Sequence, residues 1–130
     1  MKDLRAALMD KGFKSREQEI KERDERNGAI DKDIVFKKAY EFDSERYYQV
    51  RGTIDAFGTD IHDDKVKIVT INTIHIYING EHIVANHTHL RSDRVRFNNK
   101  WKKGQEITLT VKIQRYPHGT KEKYELINIF

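Results

Sequence analysis

At 130 residues, with 37% hydrophobic and 35% charged side chains, the chain is sized for one domain plus an appendage, and part of it packs no core. The absence of cysteine excludes a disulfide framework, thiolate metal sites and a cysteine nucleophile, and points to a reducing cytoplasm. No run approaches the roughly 18 apolar residues that span a bilayer, and no apolar signal region follows Met1-Lys2-Asp3-Leu4, so no membrane partner is expected. The net charge of +4 is ordinary for solubility, so its distribution matters more than its size.

The first 27 residues follow a helical pattern. Leu4, Ala7 and Leu8 share a face, Gly12 stands where a left-handed cap ends a helix, and Phe13 is placed to fold back onto Leu8. Ser15-Arg16-Glu17-Gln18 fits a capping box that starts a second helix, which Asn27-Gly28 ends. Glu17–Lys21, Glu19–Arg23 and Glu22–Arg26 place acid four residues before base, each adding about 0.2–0.5 kcal/mol. Ile20 is the sole large apolar residue of that helix, so it reads as a solvated arm. The functional alternative is a protein partner bound through residues 1–27, with Leu4, Leu8, Met9 and Phe13 as anchors. Residues 29–44 are ambiguous, since Ile34-Val35-Phe36 suits a short strand or a helical turn.

From Tyr47 the period changes to two. Tyr48, Val50, Gly52, Ile54 and Ala56 form the inner set of a first strand, and Tyr47, Arg51 and Phe57 fall on the outer one. Gly52 suggests a bend or bulge. The second strand, Val66 to Asn79, changes phase, and a bulge near Ile68–Val69 would account for the change, as would burial of both faces for a few residues. Asn79-Gly80 is a strong hairpin signal and leads into a third strand from His82 to Leu90. The fourth strand turns Ile107, Leu109, Val111 and Ile113 inward, and Pro117-His118-Gly119 leads to a fifth from Tyr124 to Phe130.

These elements predict a mainly β protein, a five-stranded OB-fold-like barrel over residues 45–130, with a charged helical arm and connector over residues 1–44. The break from Arg91 to Gly104 is where an OB-fold carries its helix, and here it is long enough for a turn or two. An SH3-like barrel is the alternative. Charge separates the two segments. Residues 1–44 sum to zero, while Arg91 to Arg115 holds eight cations against Asp93 and Glu106.

An OB-fold binds ligands on strands two and three and on the loops beside them. Single-strand binders combine cations along the backbone with rings that stack bases. The candidate nucleic-acid-binding residues are therefore Arg51, Lys67, Tyr77, His87, His89, Arg94, Arg96, Lys100, Trp101, Lys102, Lys103, Lys112 and Tyr116. The loop from Asp55 to Asp64 holds four aspartates and no lysine or arginine, so it repels phosphate or contacts a basic partner. His82, His87 and His89, with His75 on the neighbouring strand, form a cluster with metal-ligand character, in which His75, His87 and His89 would make a three-nitrogen site, but strand histidines more often stack or hydrogen-bond, and no metal or other cofactor is expected. No serine stands in a nucleophile elbow and no phosphate-cradling glycine loop is present, so catalysis is not expected.

The stretch containing His87-Thr88-His89, Phe97, Lys103-Gly104-Gln105, Tyr116-Pro117-His118-Gly119 and Tyr124-Glu125-Leu126 resembles small OB-fold domains of phages and mobile elements. Gln105 stands where that pattern has an acid. The resemblance covers about forty residues and implies a nucleic-acid-associated accessory protein. The residues thus lead to a non-enzymatic binder of single-stranded DNA or RNA. The alternative is a protein-interaction module, an inhibitor or adaptor that docks through its arm or barrel.

Overall fold

The computed structural model describes residues 15–129. The helix expected at the very N-terminus, with Leu4, Leu8, Met9 and Phe13, lies outside them. Helix α1 (Arg16–Asn27) starts where the Ser15 hydroxyl accepts from the Gln18 amide at 3.2 Å and ends at Gly28, whose φ of 65° is the left-handed cap. It buries no residue. Its ion pairs differ from the expected ladder: Arg23 bonds Asp24, and Arg16 reaches Asp55 on the first strand at 2.9 Å.

The ambiguous connector forms helix α2 (Lys32–Phe42), capped by Asp31. Val35, Phe36 and Ala39 recur at helical spacing and are buried in the same core as the strands. The core therefore does not begin at residue 45. The Tyr48 hydroxyl donates to the Ala39 carbonyl at 2.8 Å, fastening the helix to the sheet, and burial raises the pKa of that phenol.

Five antiparallel strands form a nearly closed barrel: β1 (Tyr47–Thr59), β2 (Lys67–Ile78), β3 (Glu81–Arg91), β4 (Glu106–His118) and β5 (Lys121–Ile127). Their order across the sheet is β3-β2-β1-β4-β5. The ends of this sheet approach each other where the Asn128 and Ile129 amides donate to the Arg94 carbonyl just beyond β3. Ile30 bridges Ala85 on the outer side of β3, so the edge that the barrel leaves open is partly covered by the chain leading into α2.

Two bulges shape the barrel, and neither is at Ile68–Val69. Arg51 pairs with His75 and Thr53 with Asn72, so β2 carries one extra residue, Thr73, at φ 51°. Asp55 is the extra residue in β1, between the pairs Ile54–Ile71 and Ala56–Thr70. The buried set of β2 consequently runs Val69, Ile71, then Ile74, Ile76, Ile78. A one-residue insertion reverses which side of a strand each residue faces. Gly52 lies opposite this irregularity, where a Cβ would meet the Asn72 carbonyl oxygen at 3.3 Å and Ile71 Cδ1 at 3.2 Å. Asn79-Gly80 has φ values of 51° and 79°, the two positive angles of a type I′ hairpin. The last turn comes later than expected: Pro117 pairs with Glu122 inside the β4–β5 ladder, and β5 begins at Lys121 rather than Tyr124. Pro117 is tolerated because only β5 flanks β4 beyond the Lys112–Tyr47 pair.

Candidate functional site

The two-residue hairpin fixes the register of β2 against β3, and register decides which side chains meet. Tyr77 pairs with His82, His75 with Val84, Asn72 with His87 and Thr70 with His89. Directly opposed residues share a face, so Tyr77, His75, His82, His87 and His89 lie along the outer surface of β2–β3. Arg51 joins them from β1, directly opposite His75.

At the hairpin end this surface is a groove of about 430 Å³ lined by Arg46, Tyr47, Arg51, His75, Tyr77 and Thr108, among others. Tyr77 is 63% exposed and Tyr47 52%. The His82 ring lies 5.0 Å from that of Tyr77 and 5.1 Å from that of His75, with His75 Nδ1 2.9 Å from His82 Nε2. Burial lowers the pKa of His75, and Arg51 and His82 reinforce the shift. Arg51 also faces Glu106 at 3.6 Å. Further along the face the Thr70 hydroxyl bonds His89 Nδ1 at 2.8 Å. Burial, then Lys32 and His87, keep His89 below the usual histidine range.

The three-nitrogen cluster of His75, His87 and His89 is not formed. His75 meets His82 instead, and among the described residues no group of three or more His, Asp or Glu side chains converges as a metal site.

The remaining candidate residues fall into three other places. Lys67 is on the side of Val69, not of Tyr77, because the Thr73 bulge inverts the phase of β2. It lies in a pocket of about 370 Å³ with Phe57, Phe97 and Trp101, beside the β3–β4 loop that carries Arg96, Lys100, Lys102 and Lys103. Arg94 and Tyr116 belong to the seam between β3 and β5. There Arg94 pairs with Glu125 at 3.4 Å, and Tyr116, Glu125 and Arg91 line a cleft of about 360 Å³. Burial pushes the Glu125 carboxyl up, opposed by Arg94 and Arg91. Lys112 stands opposite Tyr47 on β4 and bonds Glu45 at 2.6 Å.

The basic block is thus less positive in space than along the chain. Arg91 is held by Asp93 and Asp60, Arg94 by Glu125, Lys112 by Glu45 and Arg115 by Glu122. Asp60 belongs to the acidic loop that was expected to repel phosphate; the His62 amide and the Arg91 guanidinium hold its carboxyl below the ordinary range. Among the described residues Arg96, Lys100, Lys102 and Lys103 make no ion pair. Within the block, unpaired positive charge is left on the β3–β4 loop.

His82 and Phe97 were not among the candidate nucleic-acid-binding residues. His82 was legible through the hairpin, since Asn79-Gly80 as a two-residue turn places position 82 opposite position 77. Phe97 had no comparable local signal, because its pocket is made by a loop folding under β1 and β2. No protein-family model matches the chain, and neither the curated proteins nor the solved structures provide a significant match.

Proposed function

We propose that the chain is a non-enzymatic binder of single-stranded nucleic acid, built on an OB-fold, with the outer face of β1–β3 as its interface. The strand order supports the assignment, because β1 pairs with both β2 and β4 while β3 and β5 meet at the seam. The departure is in the helix: α2, which precedes β1, packs against the barrel core, whereas the segment between β3 and β4 forms only turns.

One observation carries the reading. Tyr77 stands out of the barrel beside Arg51, His75 and His82, offering a ring to a base and a cation to the adjoining phosphate. A stacked ring and a phosphate-directed cation recognise groups that every nucleotide has, so binding tolerates sequence. The resemblance to domains of phages and mobile elements makes an accessory role in such an element the corresponding setting, and the lack of cysteine suits a reducing cytoplasm.

Chemical-shift mapping with an oligothymidine tests the proposal. Shifts are expected at Arg51, His75, Tyr77 and His82, and a duplex of equal length should produce weaker ones. Perturbations confined to β4–β5, or none, would remove the reading. Deleting residues 1–27 should leave the affinity intact; its loss would transfer the function to the arm and its partner.

A further inference from the structure

Beyond Thr53 β1 no longer pairs with β4, so the inner side of the β1–β2 hairpin is left to the β3–β4 loop. Phe57 pairs with Val69 and Thr59 with Lys67, so Phe57 and Lys67 point to the side that Val69 buries in the core. Phe97 and Trp101 pack under this overhang with their rings 5.4 Å apart. The loop is held in place. The Asn98 side chain accepts from the Lys100 amide at 2.9 Å, and the Gln105 side chain accepts from the Lys102 amide at 3.0 Å. Gly104, at φ 86°, donates to the Ile54 carbonyl at 2.8 Å.

The pocket so formed has an apolar floor, but Phe57 remains 54% exposed at its mouth. Its two sides differ in charge. Arg96 adjoins Phe97, and Lys100 and Lys102 flank Trp101, all without a carboxylate partner among the described residues. On the hairpin side Lys67 lines the pocket, and with Lys65 it is balanced by Asp63 and Asp64 at the tip, so the loop side is the more positive. An occupant with an aromatic body and a phosphate on one side only matches that polarity.

We infer that this pocket is a second nucleotide subsite, taking one unstacked base between Phe57 and Trp101 with its phosphate turned towards the β3–β4 loop. The inference rests on the proposed function but not on the Tyr77 face. At about 3.3 Å per residue, Tyr77 and Lys67 are roughly 30 Å apart along β2, and they face opposite sides of it. A dinucleotide can therefore fill the pocket alone, whereas a long strand must pass around the hairpin to use both.

Trp101 is the one tryptophan in the chain, so its emission reports on this pocket directly. A 5′-phosphorylated thymidine dinucleotide should quench it saturably in the full chain. Tyr77→Ala should leave that quenching unchanged. Phe57→Ala should weaken dinucleotide binding about 5- to 150-fold, the range for one lost stacking partner, and Lys100→Ala with Lys102→Ala should weaken it and flatten its salt dependence. The inference is overturned if a long oligothymidine binds by anisotropy while Trp101 emission stays constant, or if Tyr77→Ala abolishes the dinucleotide signal. Failure of every oligonucleotide to bind would instead overturn the proposed function, and this subsite with it.

Discussion

His75 Nδ1 and His82 Nε2 lie 2.9 Å apart across the β2–β3 hairpin, with their rings within 3° of parallel. At that distance one nitrogen donates and the other accepts, so the pair is satisfied with one proton between them. A charge on His75 would be set against Arg51 and His82, with Glu106 to offset them.

A pH dependence of stability results. Unfolded, His75 titrates near its ordinary value of 6.5; folded, burial, Arg51 and His82 hold it lower. Between the two values the unfolded chain binds the extra proton, so the His75 contribution to stability is lost as pH falls below about 6.5 and is constant above it. His89 adds a dependence of the same sign. Denaturant midpoints should therefore drop between pH 7.5 and 5.5, and His75→Asn should reduce that drop. An unchanged slope in the variant would refute the shared-proton pair.

Tyr77→Ala should cost little stability, because the ring is exposed, yet weaken oligonucleotide binding by about 1–3 kcal/mol, or roughly 5- to 150-fold. Paired titration and denaturation curves check both halves. Equal affinity in the variant would place the interface elsewhere.

Phe36 is fully buried against the barrel, so Phe36→Ala should destabilise the domain by about 3–5 kcal/mol. Chemical denaturation measures it. A loss below about 1 kcal/mol would mean that α2 is an appendage rather than part of the core.

Gly52→Val should destabilise by about 1–3 kcal/mol. The new Cβ meets a backbone oxygen, that of Asn72, at 3.3 Å, and the branched methyls have no room to turn away from Ile71 and Ile74. A neutral thermal-melting result would show that β2 can shift around the bulge.

Strands were legible where burial is one-sided. Ile107, Leu109, Val111 and Ile113 alternate without interruption, and all four are buried on β4. The β2 phase change was visible too, but its place was not, because the inserted residue, Thr73, is a β-branched residue that composition does not mark as a bulge. Ile34-Val35-Phe36 stayed ambiguous because three apolar residues fit either period; α2 forms there since Val35, Phe36 and Ala39 find the barrel core. The candidate site was legible in part. Arg51, Tyr77, His87 and His89 do share a face. The positive block misled because counting along the chain omits partners from other strands. Glu45, Asp60, Glu122 and Glu125 lie outside the block in sequence and pair with Lys112, Arg91, Arg115 and Arg94.

The affinity of the full chain for a fluorescent oligothymidine as a function of salt tests the central claim most directly. If Arg46 and Arg51 in the groove and the unpaired cations of the β3–β4 loop together neutralise three to five phosphates, log affinity should fall against log salt with a slope of about −2 to −3.5, at about −0.7 per contact. Absence of binding at about 50 mM salt, or a slope near zero, would contradict the account.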